Sequence, residues 1–176
     1  MPAKTVRTIG LKYSLKLMAG FIVVTTIEQQ TIDLEWFAVD KAGMFARFTT
    51  GGEGALPQCI KVIDLLRLVN LSEQVDLLTK GASNVKLIED IRCEKYVVEL
   101  SSLAKKGLFC FEAGTTGAGM AASYRQIAKP TCPIYLCELP HPIIHSNTIG
   151  FCSFEFAATQ EVNHQAIYKI ARYSPR

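Results

Sequence analysis

Two thiols and two imidazoles lie close together near residue 140, and these groups are ligands that Zn²⁺ prefers. The four residues follow the spacing C-x4-C-x3-H-x3-H and are Cys132, Cys137, His141 and His145. The gap between the cysteines is not that of a zinc finger, and prolines at 133, 140 and 142 argue against a helix that places both histidines on one face. A zinc-stabilised loop therefore stands as an alternative to free thiols and surface imidazoles.

A glycine-rich segment at residues 112–119 offers a second kind of site, because glycines let backbone N–H groups approach a phosphate or a ribose. Its candidate ligand-binding residues are Glu112, Gly114, Thr115, Thr116, Gly117 and Gly119. The spacing is G-x-x-G-x-G, which differs from the dinucleotide-binding pattern G-x-G-x-x-G, and no Lys-Ser or Lys-Thr pair follows. We interpret the segment as a loop between two strands, with a small ligand such as a nucleotide or S-adenosylmethionine as the alternative.

The sequence indicates no catalytic reaction. A cysteine hydrolase needs its thiol beside a base or a helix N-terminus. Cys59 falls near the start of a predicted helix, but the three histidines, the last of them His164, are all distant from it in the sequence. The acidic pair Glu89-Asp90 fits a solvated surface better than an acid–base pair. We therefore favour a protein that is not an enzyme, and we expect no cofactor.

The elements that would position these residues form an α+β pattern. Residues 35–39 and 44–49 are predicted strands, joined by a hairpin in which Gly43 takes a positive φ. The apolar spacing over residues 56–70 predicts the principal helix, with Pro57 in its first turn, and Ser72 would begin a second, short helix that ends near Gly81. Residues 84–103 fit a strand or a helix. Further strands are predicted at 107–111, 123–128, 150–157 and 165–172.

Length and composition favour a single domain with a mainly antiparallel sheet. The chain has 176 residues, of which 49% are apolar, and this is enough material for a substantial core. The formal net charge is +3, but residues 1–27 hold four basic groups and no acidic group. Residues 28–176 hold 15 basic and 16 acidic groups and show no basic stripe. We therefore expect the domain at 28–176 to bind no nucleic acid.

The first 27 residues are either a basic and apolar leader or the first strand of the fold. Their apolar run at 17–24 is eight residues long, whereas a membrane span needs about 20. Residues 21–27 (FIVVTTI) have the β-branched composition of a strand. The six cysteines do not need to form disulfides in a chain of this size, so we expect a cytoplasmic protein, or an exported one if residues 1–27 act as a signal.

Two stretches carry a resemblance to a known family. Residues 36–57 read WFAVDxxGxxAxFTTGGxGxxP, and related motifs follow at 106–111, 124–133 and 139–140. Together they resemble a family of small, functionally uncharacterised bacterial proteins, over roughly residues 33–142. Glu35 stands where that family has Asp, and the segment before residue 28 and the glycine-rich loop depart from its pattern. The resemblance implies an immunity or interaction protein of a bacterial competition system.

We therefore predict a non-enzymatic protein-binding module, with an immunity-type inhibitor of a bacterial toxin as its specific form. The expected partner is another protein, such as a cognate toxin. The candidate contact residues are Thr49, Thr50 and Glu53, because loops held by a rigid scaffold often carry recognition.

Overall fold

A mixed sheet organises the part of the chain that the computed structural model describes, namely residues 33–79, 81, 84–88, 94–114 and 121–171. Within these ranges the strands are β1 (Glu35–Val39), β2 (Phe45–Thr49), β3 (Val85–Leu87), β4 (Phe109–Ala113), β5 (Ser123–Pro130), β6 (Ile149–Cys152), β7 (Glu161–Asn163) and β8 (Ile167–Ile170). Their order is β3-β5-β4-β2-β1-β6-β8, and β7 also pairs with β5. The pairs β1–β6 and β2–β4 are parallel and the remaining described pairs are antiparallel. The α+β prediction is confirmed, with a sheet that is mixed.

The helices differ from the sequence prediction. They are α1 (Gln58–Lys61), α2 (Leu65–Asp76), α3 (Glu94–Lys105) and α4 (His141–Ile144). The predicted helix at 56–70 is divided, because the Asp64 side chain accepts a hydrogen bond from the Leu66 N–H at 3.0 Å and starts α2 there. Ser72, which was expected to start a helix, lies within α2. Instead of one principal and one short helix, the described residues therefore contain two 12-residue helices and two single turns.

Several local predictions can be compared with the structure directly. Gly43 has a φ of 85° in the hairpin between β1 and β2, as expected. The ambiguous segment at 84–103 contains β3 and most of α3, so residues 96–100 are helical. The strand predicted at 150–157 ends at Cys152, because Phe156 enters a 3₁₀ turn and donates its N–H to Asp40 Oδ2 at 2.8 Å. The segment 1–27 lies outside the described residues.

Side chains alternate between two cores, one on each face of the sheet. On one face Trp36 stacks on Phe48, and Phe48 stacks on Phe111, with α1 and part of α2 covering them. On the other face Phe37 packs with Phe45 beneath α2, α3 and α4. Because successive strand residues point to opposite faces, β1, β2, β4, β5 and β6 each contribute to both cores. None of the helices in the described ranges has the length and apolar character needed to cross a membrane.

The residues after α3 fix the ends of two helices. The Leu108 N–H donates to Leu103 O and the Gly107 N–H to Ala104 O, which is a Schellman motif with Gly107 at a φ of 95°. The buried Lys106 ammonium reaches across to α2 and donates to Val75 O at 3.2 Å and Asp76 O at 2.8 Å. A cation at the C-terminal carbonyls complements the helix dipole, so Lys106 joins the two long helices.

Candidate functional site

A row of polar residues crosses the sheet at one end of the face that α2 and α3 cover. Glu35 lies opposite Thr49, Thr49 opposite Glu112, and Glu112 opposite Arg125, on strands β1, β2, β4 and β5. We call these four residues the polar row. Each lies two positions from a residue of the helix-covered face, so strand alternation directs all four toward the helices. The row therefore lies where the apolar core between sheet and helices ends.

Arg47 lies beside the polar row and is almost completely buried. Its side chain is 3% exposed, and Nη2 donates to Glu99 Oε1 at 3.0 Å and to Glu35 Oε1. Burial opposes the guanidinium charge, but Glu35 and the other nearby acidic groups outweigh it and hold the Arg47 pKa above its ordinary value. Its Nε and Nη1 atoms have no hydrogen-bond partner among the described residues. Arg47 thus ties β1 and β2 to α3 through two carboxylates.

A cavity of about 210 Å³ lies between α2, α3 and the sheet next to this ion pair, and we call it the helix cavity. Its lining residues are Glu35, Phe37, Ser72, Val75, Asp76, Glu99 and Leu103. The Ser72 hydroxyl donates to Glu35 Oε2 at 2.5 Å, which explains why a serine in mid-helix faces the sheet. Burial, together with the charge of Glu35, raises the pKa of both Glu99 and Asp76. Arg47 acts in the opposite direction on both groups, and Lys106 does so on Asp76. Both acidic and apolar side chains therefore line the helix cavity.

A second cavity, of about 200 Å³, lies under the turn that follows β2, and we call it the turn cavity. Its lining residues are Thr50, Gly51, Glu53, Glu112, Ala113, Gly114, Arg125 and Ile127. It therefore brings together residues from two predicted sites, since Thr50 and Glu53 were expected to contact a partner and Glu112 and Gly114 to contact a ligand. The other ligand candidates, Thr115, Thr116, Gly117 and Gly119, lie outside the described residues.

The turn at residues 50–54 is fixed by a network centred on one carboxylate. Asp33 Oδ1 accepts hydrogen bonds from Thr49 Oγ1 at 2.6 Å and from the Gly51 N–H at 2.8 Å. The Thr50 side chain accepts the Leu34 N–H at 2.8 Å, and both threonines are buried. Glu53, in contrast, is exposed. In this chain Thr49 and Thr50 thus hold the turn, while Glu53 is the accessible member of the predicted contact set.

The predicted four-ligand zinc site is not assembled. Cys132, Cys137, His141 and His145 are all described and all exposed, and no group of three or more potential metal ligands occurs in the described residues. The prolines do not prevent a helix, however. Pro140 precedes α4 and Pro142 lies in its first turn, where proline is tolerated. As a result the two histidine rings meet, with their centroids 4.0 Å apart.

The cysteine side chains nearest the cores are poor nucleophiles. Burial raises the pKa of Cys110 and of Cys152 to about 12 and also raises that of Cys59. The Cys59 thiol donates to Ile167 O at 3.5 Å, and the Cys152 thiol to Val39 O at 3.4 Å. A neutral buried thiol packs as a small hydrophobic group. These cysteines are therefore core residues.

Sequence reasoning missed the ion pair around Arg47, although a signal for it was present. Period-two alternation places Arg47 on the same face as Phe45, which is apolar, within a strand predicted to be buried. A charged residue at such a position needs a buried partner, since an isolated charge is costly to bury. The partners Glu99 and Ser72 could not be found in this way, because they come from helices whose packing depends on the whole fold.

Comparisons of the chain with family models, with curated proteins and with solved structures found no match.

Proposed function

We propose that the protein is a non-enzymatic protein-binding module whose specific role is to inhibit a bacterial toxin as an immunity-type protein. The observation that carries this proposal is the turn at residues 50–54, which is held by internal hydrogen bonds while it presents the exposed Glu53. A surface that is ordered before binding loses little conformational freedom when a partner docks. The toxin-inhibiting role rests on the resemblance in residues 36–57.

The charges around the turn support a basic partner. Glu53 and Asp33 are exposed beside it. Of the neighbouring cations, Arg47 is buried and already paired with two carboxylates. The exposed Arg125 lines the same turn cavity, where it lies opposite Glu112, so the acidic groups still outnumber the exposed cation. An acidic surface accelerates association with a basic partner and gives specificity through charge complementarity. Blocking the basic active-site surface of a toxin would use this chemistry.

The sizes of the two cavities also favour a macromolecular partner. Both measure about 200 Å³, whereas sites for drug-sized ligands usually measure roughly 300–1,000 Å³. The apolar side chains that line the helix cavity, such as Val75 and Leu103, belong to the hydrophobic core, so they serve packing.

The test is a capture experiment with charge-reversed variants. The wild-type chain is used to isolate partners from its native host, and affinity for the captured protein is then measured with Glu53→Lys. We expect Glu53→Lys to weaken binding at least 10-fold and the wild-type affinity to fall with rising salt concentration. Protection of cells against a captured toxin would support the specific role.

The matched control is Glu155→Lys. Glu155 forms an exposed ion pair with Lys41 at the opposite end of β1, so its reversal should leave the affinity unchanged. Equal loss of binding in both variants, or a captured partner that binds Glu53→Lys as tightly as the wild type, would contradict the proposed contact surface.

A second candidate function is supported by the turn cavity, where Glu112 and Gly114 meet Arg125. This arrangement suits a small polar ligand held by a carboxylate and a guanidinium group. A thermal-shift screen with nucleotides and S-adenosylmethionine at millimolar concentration tests it. A ligand at 100 times its Kd adds about 2.7 kcal/mol to the free energy of unfolding, so the absence of any stabilisation would exclude these ligands.

A further inference from the structure

Two exposed imidazoles are brought together at helix α4. His141 is the first residue of this single turn and His145 follows it, so the two lie four positions apart. Their ring centroids are 4.0 Å apart, and the ring planes are inclined at 40°. Residues with this spacing lie on the same side of a helical turn. The pair differs from the third histidine, His164, whose ring bonds to Ala122 O at 2.8 Å.

The turn that carries the histidines is firmly anchored. Ile143, between them, is fully buried in the core beneath the helices, and Leu139 just before the turn is buried too. The Pro140 carbonyl accepts the N–H groups of Ile143 and Ile144, and the His145 N–H donates to His141 O at 3.1 Å. The backbone positions of both imidazoles are thus set before any ligand binds.

We propose that His141 and His145 together form a binding site for one divalent first-row transition-metal ion, with Zn²⁺ as the preferred probe. Imidazole nitrogen binds Zn²⁺ at about 2.0–2.1 Å, and two histidines four residues apart on one helical face are a familiar way to hold this ion. Small side-chain rotations bring two rings that are already 4.0 Å apart into line with one ion.

Each ring supplies one nitrogen, so its second nitrogen remains able to make a hydrogen bond. Such a bond is usual for metal-bound histidine and orients the ring. The site therefore does not require either histidine to lack other interactions.

The remaining coordination positions belong to water. Within the described ranges no third histidine, cysteine or carboxylate joins the pair to form a larger ligand group. Binding should therefore be weaker than at a four-ligand structural zinc site, and folding should not depend on it. The affinity order should follow the Irving–Williams series, with Co²⁺ weaker than Ni²⁺ and Cu²⁺.

Calorimetric titration of the untagged full chain with Zn²⁺ and with Co²⁺ tests the proposal. We expect one equivalent of either metal to bind. His141→Gln and His145→Gln should each weaken binding at least 10-fold, whereas His164→Gln serves as the matched control and should bind as the wild type does. Unfolding midpoints measured without metal show whether the variants fold, since the exposed side chains of His141 and His145 should be dispensable for stability.

A Cys132→Ser/Cys137→Ser variant separates the histidine pair from the thiols. We expect it to keep the wild-type affinity, and the Co²⁺ complex of the wild type to lack a thiolate charge-transfer band. The proposal is overturned if the wild type binds no metal, if His164→Gln weakens binding as much as His141→Gln does, or if removal of the two thiols abolishes binding.

Discussion

Arg47 is the residue whose replacement should reveal most about the polar end of the core. Arg47→Met would leave Glu35 and Glu99 close together without their shared cation, and both side chains are more than two-thirds buried. Removing one partner of a buried ion pair strands the others, so we expect a loss of about 3 kcal/mol in the free energy of unfolding. Chemical denaturation measures it.

A rescue experiment checks the cause of that loss. If stranded charge is responsible, adding Glu35→Gln and Glu99→Gln to Arg47→Met should recover part of the stability, because neutral amides are less costly to bury. A triple variant less stable than Arg47→Met would show that the arginine acts through packing instead.

Glu99 should make the stability depend on pH in a defined direction. Burial raises its pKa above the ordinary value of 4.5, so the folded protein binds this proton more tightly than the unfolded chain does. The stability that comes from protonated Glu99 is fully present below that value and is lost as the pH rises through the folded pKa. Between about pH 4 and pH 7, Glu99→Gln should therefore gain stability relative to the wild type.

Urea denaturation of both proteins across this pH range provides the measurement. A constant offset between the two curves would reflect the lost bond to Arg47, whereas the slope of their difference reports the titration of Glu99 together with its coupling to Glu35 and Asp76. A difference that shifts toward the wild type as the pH rises would contradict the prediction.

At the scale of elements, Gly107 in the loop after α3 should tolerate substitution poorly. A Cβ on Gly107 would lie 2.7 Å from Ile134 N and 2.9 Å from Ile134 Cβ, in addition to adopting a φ of 95°. We expect Gly107→Ala to cost about 3 kcal/mol, as the sum of left-handed strain and overlap with the backbone. Gly52→Ala is the matched control, since Gly52 has a φ of 77° but open space around it, and should cost about 1 kcal/mol.

Lys106 should stabilise the fold through its hydrogen bonds to the last carbonyls of α2. Lys106→Met removes the charged donor to two carbonyls at that helix end, and charge-assisted hydrogen bonds of this kind are worth roughly 2 kcal/mol. Lys105→Met changes the adjacent, exposed lysine and should stay within about 0.5 kcal/mol of the wild type. Equal effects in thermal or chemical denaturation would show that the carbonyl contacts add nothing.

The elements could be predicted from sequence where the determinants are local. The hairpin at Gly43 follows from turn chemistry, and β1 has the predicted bounds because its apolar run is bracketed by polar residues. The division between α1 and α2 also had a local cause, but the cap at Asp64 was hidden within a continuous apolar pattern. Ser72 was misleading, since a serine favours a helix start unless a distant acceptor, here Glu35, engages its hydroxyl.

The assembly of the candidate site could not be predicted, because it depends on strand order. Glu112 and Glu53 lie on separate segments, and the turn cavity joins them only because β4 pairs in parallel with β2. The predicted zinc site shows the reverse case. Its four suitable ligands are close in sequence, but the fold does not bring all four together. The meeting of His141 and His145 was not predicted, because the prolines were expected to prevent a helix there, whereas Pro140 precedes α4 and Pro142 lies in its first turn.

At the scale of the whole molecule, stability should depend on the last strands. Ending the chain at Thr148 removes β6, which pairs with the central strand β1, and also removes Phe156 from the aromatic core. We expect this shortened chain to show no cooperative unfolding transition, as followed by circular dichroism and by the fluorescence of the single tryptophan, Trp36. A chain ending at Ala171 keeps all of the described elements and is the control.

The pairing of β1 with β6 has a consequence for how the protein is made in the cell. Strand β1 is synthesised more than 100 residues before β6, which at about 5–20 residues per second is a delay of roughly 5–20 s. Throughout this interval one edge of β1, including Phe37 and Val39, has no partner strand from β6. Newly made chains should therefore depend on chaperones that shield apolar strands during translation, and slower translation should lower the yield of folded protein.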